Sequence, residues 1–551
     1  MKIYYNFLYI FKVLCSKKEN YSYYKSYLRK FYKPLLKDLI MQRLFKATII
    51  VTFFSVATRA LGFVLRIILS RYLGAEMLGH YQVAMSVFGV LMTLVASGLP
   101  LIVSRNVAYN KSIKNNKTAY SFVSAGLIIT LSISILVSLI IVIFPSSLDL
   151  ILNQSASTSI ILYTLPGLIA SAIYCVLRSA LWGDKHFFAI SFTEFFEQVV
   201  RIILCFILFA SPILPALSYG EKATLSLSLA CILSSILVIV IYFALKQKLS
   251  NPKPAFKPLL KGSSPITALR TVSSLVQSLI AIIIPIRLTT FGYTFSEAMS
   301  EYGVLMGMAF PLILIPGTLI SSVAVTLIPE ISSKTDNIDD ASRVHDIDGL
   351  KKNITLGIDV SVIISILFVP ALMVLGTPIC EILFNSSSAG RYVSLASIII
   401  PAMGINQITS SILNSIGLEI KSLINYVFGA IALFICIYFL PRFMGTYALI
   451  LGLGLMNVIT AVLNLRMLKK RNLVSSKNSK FMFCCILFVI LSSVVGLFVN
   501  NIIKLFLPMF FATMITGIIC VFFMLGLIYV FNIANIKGFI VLKRQKLHKN
   551  I

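Results

Sequence analysis

Long apolar segments recur along almost the whole chain, separated by short polar or Pro/Gly-containing breaks. Each segment has about 20 residues, the length that a helix needs to cross roughly 30 Å of hydrocarbon. We therefore predict an all-α integral membrane protein with about fourteen transmembrane helices. The predicted helices cover residues 44–70, 78–103, 119–144, 159–182, 188–210, 224–245, 266–290, 302–328, 353–376, 392–416, 421–440, 446–466, 481–500 and 507–530.

Composition and charge agree with this class. The 551 residues are 58% hydrophobic and 12% charged, with a mean hydropathy of +0.94, which excludes an ordinary water-soluble protein. The net charge of +29 is concentrated in loops, as expected for cytoplasmic loops, so it does not indicate a nucleic-acid partner. Residues 1–46 are strongly basic, and the tail contains Lys543 and Arg544. Both termini are therefore predicted to lie on the cytoplasmic side of the cell membrane.

An internal repeat predicts how the helices are grouped. LPLIVS at 99–104 resembles IPEISS at 328–333, and LPGLIASAIYCVLRSALWGD at 165–184 resembles IPAMGINQITSSILNSIGLE at 400–419. The two offsets, 229 and 235 residues, differ little, so we predict a parallel duplication of a six-helix unit, which is typical of transporters. The predicted divisions are a basic extension at 1–43 with Met41 as an alternative start, a first lobe at 44–246, a cytoplasmic linker at 247–265, a second lobe at 266–468, and two extra helices with a basic tail at 469–551.

The sequence contains few residues in a pattern that could form an active site or a cofactor site. Nine cysteines and four histidines occur without metal-ligand spacing, and no phosphate-binding glycine loop is present. The acidic segment at 336–350 is interpreted as a solvated connector rather than a catalytic loop. We predict no enzymatic activity, no metal and no cofactor.

Ionisable residues inside apolar segments are the candidates for function, because each is costly in a membrane unless it faces a wet cavity or a partner. Arg59 and Arg66 are seven residues apart, so they share one face of the first helix. That helix has no acidic residue between 44 and 70. Arg71, near its outer end, is expected to anchor the helix at the headgroups.

The fifth predicted helix carries Glu194, Glu197 and Arg201 on one stripe. Glu197 and Arg201 have the spacing of an internal ion pair, which leaves Glu194 available for a cation on another helix or for titration. The seventh predicted helix, the counterpart of the first in the duplication, carries Arg270 and Arg287. Arg59, Arg66 and Arg287 are the candidate substrate-binding residues, and Glu194, Glu197, Arg201 and Arg270 are candidates for the cavity or for coupling.

Several motifs resemble the polysaccharide branch of the multidrug/oligosaccharidyl-lipid/polysaccharide (MOP) flippase superfamily, and its sporulation members in particular. They are TRALGFVLRIILSRYLGAEMLGHYQ from residue 58, SGLPLIVSRNVA from 97, FTEFFEQVVRII from 192, PIRLTTFG from 285 and ISSVAVTLIPEIS from 320. The resemblance implies a fold like that of the MATE transporters, with two six-helix lobes and two extra helices. It also implies alternating access that moves a polyprenyl-pyrophosphate-linked sugar across the membrane, and a role in spore cortex peptidoglycan.

Residue roles also follow from the resemblance. Arg59 within TRALGF matches a cavity arginine of peptidoglycan-precursor flippases, and Arg66 and Arg287 resemble further basic positions of that family. The leading hypothesis is therefore a flippase in which these arginines hold a pyrophosphate. The alternatives are a cation-coupled multidrug antiporter that depends on Glu194 and a non-transporting scaffold for cell-wall enzymes. The expected partners are a lipid-linked saccharide precursor, membrane lipids and cell-wall synthesis enzymes.

Overall fold

The computed structural model describes residues 18–152, 155–210, 214–332, 347–474 and 479–531. Regular structure in these ranges is helical. The α-helices are α1 (Lys18–Ala96), α2 (Leu99–Ser112), α3 (Asn116–Ile143), α4 (Pro145–Leu152), α5 (Ser155–Leu162), α6 (Leu165–Gly183), α7 (Phe187–Ala210), α8 (Tyr219–Ala244), α9 (Lys253–Thr289), α10 (Phe295–Gly303), α11 (Phe310–Ile313), α12 (Ile315–Ser332), α13 (Ile347–Phe384), α14 (Ser387–Ala396), α15 (Ile400–Ser415), α16 (Glu419–Phe439), α17 (Pro441–Met444), α18 (Tyr447–Lys470), α19 (Ser479–Ile503) and α20 (Met509–Val530).

Local sequence signals set several helix starts. Asn115 accepts a hydrogen bond from the Thr118 amide at the start of α3. Ser218 with Glu221 starts α8, and Thr294 with Glu297 starts α10, each as a reciprocal capping box. These caps satisfy amide groups that have no partner within their own helix.

Eleven helices within the described residues are long and apolar enough to span a membrane, or twelve if one bent pair forms a single span. One of the eleven, Ile50–Ser112, contains the predicted first and second helices. Helix α7 is not among them, because it carries three charged residues, Glu194, Glu197 and Arg201. The all-α, multi-pass class is confirmed, whereas the number of fourteen spans stays a prediction.

The observed helices differ from the predicted ones in where the chain breaks. The first and second predicted helices form the continuous α1, with a break only at Gly74, where φ is +70°, a conformation that glycine adopts readily. The second predicted helix also breaks between α1 and α2, at Ser97 and Gly98. The eighth, predicted as one helix over 302–328, contains a π-helix at Val304–Ala309 and bends by 45° at the break after Ile313. A π-helix widens the turn, and Pro316 near the bend lacks an amide hydrogen for the helical ladder.

The predicted linker at 247–265 is helical from Lys253 onward, as the first part of α9. A proline in the first turn of α9 is compatible with a helix start, because amides there have no helical partner. The helix then continues through Pro258 and Pro265, so neither proline ends it. The division into lobes at this linker stays a prediction.

Some predictions fall outside the described residues. They concern residues 1–17 of the basic extension, the acidic connector up to residue 346, and the tail that holds Lys543 and Arg544.

Following the predicted division, we call helices α1–α8 the first lobe and the helices from residue 266 of α9 to α18 the second lobe. We call the end of the bundle with Gly74 and residues 385–386 and 440–446 the Gly74 face, and the end with residues 113–115, 184–186 and 245–252 the linker face. The largest apolar core joins the lobes near the Gly74 face, with Leu69 and Tyr81 in the same cluster as Met299 and Tyr302.

Toward the linker face the core divides. The first lobe has a separate cluster that includes Val103 and Leu177, together with Leu259 at the start of α9, and the second lobe has one that includes Leu327 and Leu413. The lobes are therefore packed together on the Gly74 face and have separate cores on the linker face. Helices α19 and α20 pack on α13 through a further small cluster.

A carboxylate connects three segments of the first lobe on the linker face. Asp184 lies 2.6 Å from the Lys111 Nζ and accepts a hydrogen bond of 2.7 Å from Gln247. Lys111 also donates to Gln247 at 2.7 Å, and His186 lies 3.1 Å from the carboxylate. The network joins α2, the turn between α6 and α7, and the segment after α8.

Asp184→Asn is expected to lower the melting temperature of the detergent-solubilised protein. The substitution leaves the ammonium group of Lys111, which is only 17% exposed, without its counter-charge, and a loss of this kind costs about 1–3 kcal/mol. The matched control is Glu419→Gln, because Glu419 occupies the corresponding repeat position and is exposed. Equal melting temperatures for the two variants would contradict the structural role of Asp184.

Candidate functional site

Two arginines of α1 face the space between the lobes. Arg59 and Arg66 are both exposed, although they lie within the membrane-spanning part of α1. The Arg59 Nη1 donates to the Thr318 carbonyl of α12 at 3.4 Å. Because this contact crosses from the first lobe to the second, the helix face that Arg59 shares with Arg66 is directed toward the second lobe.

Arg66 lies close enough to Tyr81 and Arg201 for electrostatic interaction. Close packing of α1 on α7 brings these groups together, since a Cβ on Gly62 would lie only 3.1 Å from the Gln198 amide nitrogen. Neighbouring guanidinium groups repel each other, and an anion placed between them relieves that repulsion. The contact between α1 and α7 therefore creates an environment that favours an anion.

Arg201 is held by the first lobe itself. Its Nη2 donates to the Tyr81 hydroxyl at 2.8 Å, and its Nε is buried without a hydrogen-bond partner among the described residues. Arg201 and Glu197 lie close enough for electrostatic interaction but do not form the predicted direct ion pair, and Glu197 accepts a hydrogen bond of 3.3 Å from Ser234 of α8. The hydrogen bonds of both groups therefore go to neighbouring helices, α1 and α8, rather than along α7.

Glu194 pairs with a cation on another helix, which is one of the two roles that the sequence predicted for it. It forms an ion pair with Arg178 of α6, within the first lobe. The two side chains are 39% and 32% exposed, so the pair lies at a partly accessible surface, where its net contribution to stability is small. Its main consequence is that the Glu194 carboxylate already has a positive partner.

Arg71 does not serve only as an anchor at the headgroups. Its Nε and Nη2 donate to the Leu383 and Ile382 carbonyls at 3.0 and 2.9 Å. These carbonyls end α13 and lack partners within that helix, and a cation suits this negative end of the helix dipole. Arg71 therefore connects the first lobe to the second on the Gly74 face.

The two arginines of α9, Arg287 and Arg270, bind to parts of the protein away from Arg59 and Arg66. Arg287 donates two hydrogen bonds, of 3.1 and 3.0 Å, to the Tyr438 carbonyl and lies 4.0 Å from the centre of the Tyr438 ring. Arg270 donates to the Ser97 carbonyl at 3.1 Å, at the break between α1 and α2. No contact among the described residues joins Arg287 to Arg59 or Arg66, so its role as a substrate ligand stays a prediction.

The second lobe contains a set of amide side chains that was not predicted from the sequence. Asn406, Gln407 and Asn414 of α15 line a cleft together with Asn457 of α18. The spacing of Asn406, Gln407, Ser410 and Asn414 places them on one face of a helix. This spacing is the feature of the sequence from which the polar face could have been predicted. Predictions based on ionisable residues alone do not include these amides, because Asn, Gln and Ser carry no charge.

The chemistry of the site is that of anion binding. Among the described residues, no group of three or more His, Cys, Asp or Glu side chains is arranged to hold a metal ion. Arg59 and Arg66 present planar forked donors, which suit phosphate oxygens better than an ammonium group does. The arrangement therefore fits an anionic ligand that enters between the lobes.

Comparison with known proteins agrees with this architecture. Stage V sporulation protein B of Bacillus subtilis (strain 168) is 24% identical over 401 residues, which cover 71% of this chain and 76% of that relative. The structure is similar to the lipid II flippase MurJ in an inward closed conformation, with a TM-score of 0.65, 16% identity, and 88% and 100% of the two chains covered. It is also similar to an inward-facing multidrug resistance MATE family transporter of the MOP superfamily, with a TM-score of 0.61, 15% identity, and 75% and 94% covered.

These comparisons confirm the resemblance and the MATE-like fold predicted from the sequence motifs. None of the three proteins is named as an enzyme, in agreement with the prediction for this chain. The family described as "Polysaccharide biosynthesis protein" matches residues 44–334, more than half of the chain. The chain therefore belongs to the polysaccharide biosynthesis protein family.

Proposed function

We propose that the protein is a flippase that moves a polyprenyl-pyrophosphate-linked saccharide across the cytoplasmic membrane. The observation that carries this proposal is the exposure of Arg59 and Arg66 on the face of α1 that is directed toward the second lobe. An arginine in this position is costly in lipid, whereas in a wet cavity between two lobes it can bind an anion.

A pyrophosphate suits these groups. It carries two negative charges, and bidentate guanidinium contacts give it both strength and a fixed orientation. Arg66 and Arg59 supply the direct contacts, and Arg201, held by Tyr81, adds a third positive charge behind them. The polyprenyl chain remains in the bilayer while the polar headgroup passes between the lobes.

The arrangement of the lobes supports entry from the linker face. The apolar core joins the lobes near the Gly74 face and is divided toward the linker face. The basic loops at the linker face are expected on the cytoplasmic side, where lipid-linked precursors are made. The headgroup binds from the cytoplasmic leaflet, and a rearrangement of the lobes then opens the Gly74 face. The name of the sporulation relative favours a role in sporulation, for which the resemblance of the sequence motifs implies spore cortex peptidoglycan as the pathway.

The multidrug antiporter is supported by the fold that the chain shares with a MATE transporter. It requires a carboxylate that can exchange a cation, and Glu194 is the predicted candidate. The ion pair between Glu194 and Arg178 disfavours that role, because release of a cation from Glu194 would compete with an internal positive charge.

Reconstitution of the full chain into vesicles tests the proposal. We expect a fluorescent polyprenyl-pyrophosphate disaccharide, placed in one leaflet, to appear in the other leaflet faster with the protein than in protein-free vesicles. A phospholipid with the same fluorophore should not be accelerated. Equal rates with and without protein would favour the scaffold, and drug efflux abolished by Glu194→Gln without lipid movement would favour the antiporter.

A further inference from the structure

The second lobe contains a polar cleft that has no role in the pyrophosphate site. It has a volume of about 390 Å³ and lies between α12, α15, α16 and α18. Its polar lining consists of amides and hydroxyls, among them Asn406, Gln407, Ser410, Tyr426 and Asn457. The lining contains no Asp, Glu, Lys, Arg or His, in contrast to the charged interior of the first lobe.

The amides of the cleft retain capacity for further hydrogen bonds. Asn406 donates to the Asn457 Oδ1 at 2.9 Å, and Asn457 donates to the Leu453 carbonyl at 2.8 Å. Gln407 donates to Ser321 at 2.5 Å. An Asn or Gln amide has two donor hydrogens and an oxygen with two lone pairs. Each of these amides therefore keeps donors or acceptors for a ligand while its orientation is fixed by the protein.

The duplication indicates that the amides are not needed to build the helix. At the offset of 235 residues, α15 corresponds to α6 of the first lobe. The corresponding residues are Asn406 and Ser171, Gln407 and Ala172, Ser410 and Cys175, and Asn414 and Ser179. Small residues fill these positions in α6, and Ser171, Ala172 and Ser179 are buried there. The same face carries larger polar groups in α15, where it lines an open cleft.

The cleft begins beside the proposed pyrophosphate site. Gly317 is part of its wall, and the carbonyl of the next residue, Thr318, accepts the hydrogen bond from Arg59. A ligand whose pyrophosphate contacts Arg59 therefore places its next chemical group at the mouth of the cleft.

The lining selects for an uncharged ligand. An ionised group in the cleft would have no counter-charge, and burying it would be unfavourable. Hydroxyl and acetamido groups match amide donors and acceptors, and the volume falls within the range of about 300–1,000 Å³ of small-molecule sites. We propose that this cleft binds the uncharged sugar part of the substrate. The assignment rests on the proposed flippase function and extends it by naming a separate sugar subsite.

The test compares two lipids that differ only in the sugar. Binding of polyprenyl pyrophosphate and of the same lipid carrying an uncharged N-acetylhexosamine disaccharide is measured with the full chain in nanodiscs. In Asn406→Leu/Asn457→Leu both partners of one hydrogen bond become apolar, so the variant should fold more readily than either single change. We expect it to bind the glycosylated lipid about tenfold or more weakly and the bare lipid within about twofold of the original chain.

A second variant keeps the test independent of folding. Asn414 is exposed at the cleft, so Asn414→Leu breaks no buried contact and should cause a smaller loss that is again confined to the glycosylated lipid. Equal weakening of both lipids, or no change in either, would overturn the sugar subsite. Failure of the unaltered chain to bind either lipid would instead reject the proposed flippase function.

Discussion

Arg59→Gln combined with Arg66→Gln is expected to abolish the transport of a pyrophosphate-linked lipid. A hydrogen bond to a charged group contributes about 1.5–3 kcal/mol, so loss of two such contacts weakens binding roughly a hundredfold or more. Both side chains are exposed, and Arg59 has only one long hydrogen bond, of 3.4 Å, within the protein. Their removal should therefore reduce ligand binding far more than stability. Binding of a labelled pyrophosphate lipid in nanodiscs, with melting temperatures in parallel, measures the two effects separately.

Lysine variants and a distant arginine make this experiment specific. Lysine keeps the charge but not the forked donor geometry, so Arg59→Lys/Arg66→Lys should retain part of the binding. Arg442 lies in α17 on the Gly74 face, away from α1, and Arg442→Gln should bind like the original chain. Equal losses in the Arg442 variant and the double glutamine variant would show that general positive charge, rather than this site, attracts the lipid.

The same assay tests the predicted role of Arg287. Its hydrogen bonds to Tyr438 predict that Arg287→Gln lowers the melting temperature and leaves binding intact. Loss of binding at unchanged stability would instead support the third substrate arginine that the sequence predicted.

The candidate site could be predicted from the sequence to the extent that it depends on a single helix. A spacing of seven residues places Arg59 and Arg66 on one face wherever the helix lies. The hydrogen-bond partners of Glu197 and Arg201 could not be predicted, for the converse reason. Local spacing suggested a bond between Glu197 and Arg201, but their hydrogen bonds go to Ser234 and Tyr81 on neighbouring helices. The register between helices is not encoded in local spacing.

Helix breaks show the same limit of sequence reasoning. Residues 247–265 were predicted as a linker, yet α9 begins at Lys253 and continues through Pro258 and Pro265. The π-helix at Val304–Ala309 has no signal in hydrophobic periodicity, because the whole segment is apolar. The spacing of the amides in α15 can be read from the sequence, but only the structure shows that they line a cleft.

Two glycines determine how closely the lobes approach on the Gly74 face. A Cβ on Gly303 would lie 2.0 Å from the Ala75 carbonyl oxygen and 2.6 Å from the Gly79 amide nitrogen. A Cβ on Gly79 would lie 2.1 Å from the Met299 carbonyl oxygen. These atoms belong to the backbone, which cannot rotate away as a side chain can. Small residues of this kind allow helices in membranes to pack at short distance.

Gly303→Val is therefore expected to separate α10 from α1 and to prevent the lobes from closing on the Gly74 face. Overpacking of this kind costs about 1–3 kcal/mol or more, enough to change the ratio of closed to open states by roughly ten- to a hundredfold. Amide hydrogen exchange of Phe295–Gly303 should become faster, and lipid transport should fall, because alternating access requires both states. Gly89→Ala is the matched control, since Gly89 lies in α1 with no atom within 4 Å of an added Cβ. If the Gly303→Val variant had the same amide hydrogen-exchange and lipid-transport rates as the control, closure on this face would not depend on contact between the two backbones.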